Sequence, residues 1–447
     1  MKKNDQFNGK CVGYNVEGLG IVKHDGFVFF VKNMLKDEEG EIVITSLKKN
    51  YGFGRCLKLT NVSKHRIEPS CSIYKHCGGC QLQHMDRYEQ RNFKYQKVVD
   101  CFKSIAHMEP TIQDVLDMEY PLRYRNKVQI PVQFENHEVK MGFYRNHTNE
   151  IVEFDDCLVQ TETSNKIVQA MKRYLKELNC GDAFKHVLIK HAHRTDEIMI
   201  VFIVKQYPFK QCEELKNKLM NEFPSIKSVI VNINKRNDNV ILTNEEVALT
   251  EKKLIQEKLH DFYFNISSKS FYQINPSQTQ VLYDKAIEYA QLTKEDTVVD
   301  LYCGTGTIGL FASPKVNKVI GIEVVEAAIE DAKINASINN IKNIEFICAD
   351  AKEGAKEILR RGEKIDVVIV DPPRKGCDED TLQSIAAMNP KRIVYVSCDP
   401  STLARDCALL SKLAYSIEVV QPVDMFPLTH HVETVVLMSR VKVNTMF

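Results

Sequence analysis

Residues 393–400 read IVYVSCDP, a strand-forming apolar run that ends in a thiol, a carboxylate and a proline at Cys398, Asp399 and Pro400. A second such run, VVIV, ends in Asp371-Pro372-Pro373, where two prolines fix the backbone beyond the strand. Ligands in open α/β sheets sit at the carboxyl ends of the strands, so Cys398 and Asp371 are expected to face one crevice. A thiol in that place suits a carbon that is a poor nucleophile, such as C5 of uracil. Attack of the thiolate on C6 turns C5 into an enolate carbon that can take a methyl group. The C5 proton must then leave before the thiol can be expelled, which demands a general base. Glu433, at the start of the final strand pattern after His430 and His431, is the candidate.

The methyl donor would need its own cradle. DTVVDLYCGTGTIGLFA is an apolar strand that runs into Gly304, Gly306 and Gly309. Gly304 is expected to allow the sharp turn, and Gly306 to remove the side chain that would keep a ligand from the backbone. Nineteen residues after Gly304, Glu323 ends the next strand, KVIGIE, where it can accept both hydroxyls of a ribose. The spacing G-x-G-x-x-G fits a dinucleotide equally well, so a dehydrogenase competes on this evidence alone. The acid-Pro-Pro ending of the fourth strand is common in S-adenosylmethionine-dependent methyltransferases and weighs against that competitor. Amino-methylating enzymes usually place an aromatic residue next; here it is Arg374, which disfavours an exocyclic amine as the target.

Fourteen cysteines ask for a metal or catalytic reading before disulfides. Cys71, Cys77 and Cys80 form a C-x5-C-x2-C array around Gly78 and Gly79, and Cys157 follows in FDDCLV. A four-thiolate site suits an iron-sulfur cluster or structural zinc, and the single C-x2-C pair tips the balance toward iron-sulfur. The spacing is not C-x3-C-x2-C, so radical use of S-adenosylmethionine finds no support. Cys11, Cys56, Cys101, Cys180, Cys212, Cys348 and Cys407 sit singly and read as small buried hydrophobes.

Which elements would hold these groups? At 447 residues the chain should divide into about three units of ~150 residues. Its 44% apolar and 27% charged residues are those of a soluble globular protein. No apolar run approaches the ~20 residues of a membrane span, and the N-terminus lacks a secretory signal pattern, so a cytoplasmic protein is expected. Residues 1–66 alternate short β-runs with glycines, which predicts a small barrel. Their 12 Lys and Arg against 7 Asp and Glu suit an RNA backbone, although the whole chain carries only +1.

Residues 67–265 read as an α+β unit, helical from about 81 to 125 and then rich in strands from RYRNKVQIPVQF to NVILTN; 93–124 is free to pack on the catalytic unit instead. Arg123, Arg125 and Lys127 interleave with Tyr124, a composition that suits phosphates and stacked bases. In residues 266–447, five strand patterns alternate with helical ones, and DMFPLTHH joins the last two. That order predicts an α/β doubly wound parallel sheet finished by an antiparallel hairpin, the layout of class I methyltransferases.

Taken with FYQINPSQT, these motifs resemble the RNA 5-methyluridine (uracil-C5) methyltransferases, specifically the bacterial 23S ribosomal RNA branch with an N-terminal TRAM domain and a 4Fe-4S cluster. The resemblance covers nearly the whole chain. It implies Cys71, Cys77, Cys80 and Cys157 as cluster ligands, Cys398 as nucleophile and Glu433 as proton acceptor. Gln273, Tyr302, Glu323 and Asp371 would line the S-adenosylmethionine pocket, with Asp350 near the adenine. The implied substrate is a uridine of 23S rRNA, flipped out of its stack, and a monomer is expected; tRNA is disfavoured, because the transfer RNA branch is taken to lack barrel and cluster. Two other readings stand beside it, an amine-directed nucleic acid methyltransferase and a non-catalytic RNA-binding iron-sulfur sensor.

Overall fold

The computed structural model describes residues 1–146 and 148–441. Strands β1 (Gln6–Tyr14), β2 (Gly20–His24), β3 (Phe27–Val31), β4 (Glu39–Leu47) and β5 (Tyr51–Asn61) close into the expected barrel, in the order β1-β2-β3-β5-β4. Strand alternation points Phe7, Val22, Phe29 and Ile42 into its interior. Helix α1 (Arg87–Cys101) follows, its first turn capped by Asp86, whose carboxylate accepts the Glu89 N–H at 2.8 Å.

Seven strands then build a mixed sheet. They are β6 (Lys127–Glu135), β7 (Glu138–Tyr144), β8 (Ile151–Glu153), β9 (Phe184–Ala192), β10 (Glu197–Val204), β11 (Ile226–Ile233) and β12 (Glu246–Ala248). Their order is β12-β11-β10-β9-β6-β7-β8, and helices α2 (Glu162–Glu177) and α3 (Cys212–Glu222) share its core. The expected strand NVILTN is irregular. Asn234 Nδ2 donates to Val240 O at 2.7 Å and to Ile241 O at 2.9 Å, so side-chain amides take the carbonyls that a ladder would have used. A ribbon of β13 (Ile255–Leu259) and β14 (Phe262–Ile266) leads to α4 (Pro276–Ala290).

The C-terminal sheet holds β15 (Thr297–Leu301), β16 (Lys318–Glu323), β17 (Ile344–Cys348), β18 (Val367–Val370), β19 (Arg392–Ser397), β20 (Tyr415–Val423) and β21 (Glu433–Arg440). The order is β17-β16-β15-β18-β19-β21-β20, with the first five parallel and β21 antiparallel to both neighbours, as the sequence pattern predicts. Helices α5 (Thr307–Ala312), α6 (Glu326–Ile338), α7 (Ala351–Arg361), α8 (Glu379–Ala387) and α9 (Pro400–Lys412) make the crossovers.

The helix expected over 81–125 is mostly absent. After α1, a π-turn over Phe102–Ala106 ends the helical segment, and Pro110 cannot rejoin it. Thr111–Leu116 instead runs along the open edge of β20: Gln113 N donates to Val420 O at 2.8 Å and Leu116 N to Pro422 O at 3.0 Å. An unpaired edge strand offers that ladder to any β-branched segment nearby. Val98 and Phe102 enter the core under β15, β18 and β21, so this stretch packs on the C-terminal unit. Phe102 is fully buried, and its replacement by Ala would cost about 3–5 kcal/mol.

Candidate active site

The β19–β21 ladder pairs Val396 with Val435 and Ser397 with Thr434. The ladder ends there, with Cys398 directly beyond β19 and Glu433 at the start of β21, and Glu433 is the leading charge acting on the Cys398 thiol. Asp371 follows β18, whose Val370 pairs with Tyr395, so it stands on the same rim. Beyond Cys398, Asp399 caps α9 by accepting the Ser401 N–H at 2.8 Å, and Pro400 takes the first helical position, where its missing N–H costs nothing. The Asp-Pro pair therefore starts the helix and leaves Cys398 at the strand tip.

The electrostatics of the rim are dominated by removal from water. Burial, then Glu433 and Asp371, push the Cys398 thiol up to about 12, with Arg374 opposing. Burial and then Asp371 push Glu433 up to about 8, again against Arg374, and burial alone holds Asp371 at about 7. Deeper in, Asp300 is raised to about 8 by burial, with Asp371 and Glu323 adding to the rise and the Gly309 N–H opposing it. Two carboxyls that resist ionisation beside one thiol, with Asp371 also raising Asp300, favour a cationic ligand at this rim.

The turn after β15 places Tyr302, Gly304 and Gly306 at φ 62°, 54° and 80°. A Cβ on Gly304 would meet nothing within 4 Å, whereas one on Gly306 would press on Leu310 and Phe346, both at 3.1 Å. Both glycines serve the turn through their positive φ, and it is Gly304, not Gly306 as expected, that faces open space. Glu323 accepts from Gly304 N at 3.2 Å and from Val325 N at 2.9 Å, which fixes its carboxylate at the turn. Asp350 is exposed and caps α7 through the Lys352 N–H at 3.0 Å. Gln273 is buried, and its backbone carbonyl accepts from Asn126 Nδ2 at 2.9 Å.

Cys71, Cys77, Cys80 and Cys157 line one cavity, rimmed by Ile73, Phe143 and Leu158. Among the described residues no three His, Cys, Asp or Glu side chains are arranged to hold a single ion. Burial pushes Cys80 up to about 12 and also raises Cys77 and Cys157. Cys348, expected to be buried, is exposed at the end of the edge strand β17.

The Arg123–Lys127 segment has no base-stacking face. Tyr124 is 4% exposed and donates its hydroxyl to Pro427 O at 3.1 Å. Arg123 grips both oxygens of Asp156 at 2.6 Å and Cys157 O at 2.9 Å, so it orders the fourth thiol's loop. Arg125 lines the thiol cavity, where its buried Nε has no partner among the described residues. Lys127 is drawn down by burial and then by Arg125. Missed altogether by the sequence reading were Asn126, which donates to Gln273 O at 2.9 Å, and Lys94, which forms a buried ion pair with Asp424. No local pattern announces either contact, because the partners lie far apart in the chain.

Comparison with known proteins follows the same lines. The family model described as tRNA (Uracil-5-)-methyltransferase matches residues 87–441. An RNA methyltransferase of Clostridium tetani is 44% identical, covering 98% of this chain and 97% of the relative. One of Oceanobacillus iheyensis is 45% identical over 97% and 96%. The crystal structure of Pyrococcus abyssi tRNA (uracil-54, C5)-methyltransferase in complex with S-adenosyl-L-homocysteine superposes with a TM-score of 0.76 at 27% identity, covering 96% of this chain and 99% of that one. A tRNA enzyme therefore spans this chain from barrel to final sheet, and the barrel by itself does not separate a ribosomal from a transfer RNA substrate.

Proposed function

The chain belongs to the tRNA (uracil-5-)-methyltransferase family, and from that premise we propose that it methylates C5 of a uridine in 23S rRNA through a covalent adduct of Cys398 with C6 of the base. The observation that carries this reading is the Cys398 thiol at the tip of β19, with Glu433 at the start of the neighbouring β21 and Asp371 after β18 as the leading charges acting on it.

Cys398 Sγ, deprotonated, attacks C6; the 5,6-double bond opens and its electrons move to the enolate. S-adenosylmethionine, when bound, would supply the methyl group from its sulfonium, leaving as the neutral thioether S-adenosylhomocysteine once the methyl is on C5. Glu433, as carboxylate, removes the C5 proton, the double bond re-forms, and the C6–S bond breaks to return the thiolate. Gln273, Tyr302, Glu323 and Asp371 would hold the donor, and the open space at Gly304 would let it approach the backbone. The donor's positive charge fits the two hard-to-ionise carboxyls of the rim and would favour both the thiolate and the Glu433 carboxylate. Flipping the uridine costs a few kcal/mol, which contacts from the barrel, read as a TRAM-type domain, would offset.

Cys71, Cys77, Cys80 and Cys157 are proposed to hold a 4Fe-4S cluster. Their convergence on one cavity with an apolar rim and an Arg125 Nε unpartnered among the described residues fits a group that carries negative charge. When bound, such a cluster braces the loops that ligate it, and no methyl-transfer step requires its electrons. A cytoplasmic monomer completes the proposal.

The Pyrococcus abyssi neighbour favours a second reading, a uridine of tRNA. Mapping 5-methyluridine in ribosomal and transfer RNA from cells with and without the gene decides between them. Loss from neither pool would refute both. Incubation with 5-fluorouridine RNA should trap the enzyme covalently, and Cys398→Ala should abolish the trap.

A further inference from the structure

The connection Asp424–Val432 between β20 and β21 is buried apart from Phe426, His430 and His431, which keep partial exposure. Loops rarely are, because each buried peptide group then needs a partner. Here the partners come from outside the sheet. Asn275 Nδ2 donates to Met425 O at 2.9 Å, Lys94 Nζ to Phe426 O at 3.1 Å, Tyr124 Oη to Pro427 O at 3.1 Å and Lys97 Nζ to His430 O at 2.9 Å.

Leu428 is held on every side. It adopts φ 66°, a left-handed conformation that costs a branched L-residue energy and persists only when its surroundings impose it. Its N–H donates to Gln90 Oε1 at 3.2 Å. Its carbonyl accepts from both Gln81 N and Leu82 N at 3.0 Å each, the two residues that directly follow Cys80. Its side chain packs with Tyr124 and Val159, against Cys80 and Cys157. Five residues further on stands Glu433.

We propose that Leu428 is a positioning residue through which the four-thiol site sets the placement of Glu433 in the crevice. Ordering of the Cys80–Leu82 backbone and of the Cys157 loop clamps Leu428 in its left-handed state; release of those loops lets it relax, and the strand start that carries Glu433 shifts with it. The inference rests on the reading of Glu433 as the base and of the thiols as ligands. It makes the ligation state of the thiols a control on proton removal, with no part in attack on C6.

The test separates those two steps. Uridine RNA requires every step, whereas 5-fluorouridine RNA stops after methylation, because C5 then carries fluorine and methyl and no proton. Leu428→Gly relieves the left-handed strain and deletes the side chain between Cys80 and Cys157; Tyr124→Phe, the milder variant, removes only the hydroxyl on Pro427 O. Both are made in the full chain, purified anaerobically with its metal. Turnover on uridine RNA is expected to fall about tenfold to a hundredfold in Leu428→Gly, and less in Tyr124→Phe, with KM for S-adenosylmethionine unchanged. Adduct formation on 5-fluorouridine RNA should keep the wild-type rate. Hydrogen exchange over 424–432 should quicken in both variants and in wild-type protein stripped of metal by a chelator, while β15 and β16 stay protected. Adduct formation that slows in step with turnover would overturn the proposal, as would exchange over 424–432 that ignores metal removal. Were wild-type protein to form no adduct at all, the covalent mechanism would fail, and the exchange measurement would still decide the link between thiols and loop.

Discussion

Cys398 stands at a strand tip among carboxyls, whereas Cys80 stands on a loop among other thiols, and burial pushes both up to about 12. The charges next in rank differ. At Cys398 they are Glu433 and Asp371, which a single cation entering the crevice would relieve. At Cys80, beyond a Gln83 side chain that opposes the rise, they are Cys157, Cys77 and Cys71, which only a centre binding several sulfurs at once would relieve. Two thiols that burial raises alike are thus built for different ligands, and the shift in acidity alone would not distinguish them.

The sharpest way to break this comparison is to remove each thiol in turn. Cys398→Ala should lower methyl transfer by about 10⁴-fold or more and abolish the 5-fluorouridine adduct in a denaturing gel, while Cys157→Ser keeps adduct formation. An adduct that survives Cys398→Ala would place the nucleophile elsewhere. Glu433→Gln should cut turnover by about 10²- to 10⁴-fold and leave an adduct accumulating on ordinary uridine RNA, visible by mass spectrometry.

The cation argument has its own measurement. Alkylation of Cys398 by iodoacetamide should be faster with S-adenosylmethionine bound than with S-adenosylhomocysteine, which lacks the sulfonium charge; for the four clustered thiols the two should act alike. The smallest effect concerns stability. Burial raises Glu433 from 4.5 to about 8, so the folded chain keeps a proton that the unfolded chain releases across that window. Stability from this group therefore falls as pH rises from 4.5 to about 8. In the ligand-free protein Glu433→Gln should raise the melting temperature at pH 8 and leave it unchanged at pH 4, as calorimetry would read.

How much of this was legible beforehand varies by element. The strands of the C-terminal sheet were read from runs such as VVIV and IVYVS, because a strand buried on both faces is apolar throughout. Their ends carried Asp371 and Cys398 in plain view. The segment after α1 was misread as helix, since the edge of β20 that captures it lies some three hundred residues away. Arg123 and Tyr124 looked like an RNA surface, yet one orders the Cys157 loop and the other supports Pro427. Gly304 and Gly306 were recognised as necessary, but only the packing of Leu310 and Phe346 shows which of them faces open space.

Local periodicity and turn chemistry, which act over a few residues, by themselves determined the barrel, the doubly wound sheet and the residues at its rim. Which cation pairs with Asp424 and what holds Leu428 were decided by tertiary structure alone. Those contacts join positions hundreds of residues apart, and their energies come from excluding water between surfaces that exist only once the chain has folded.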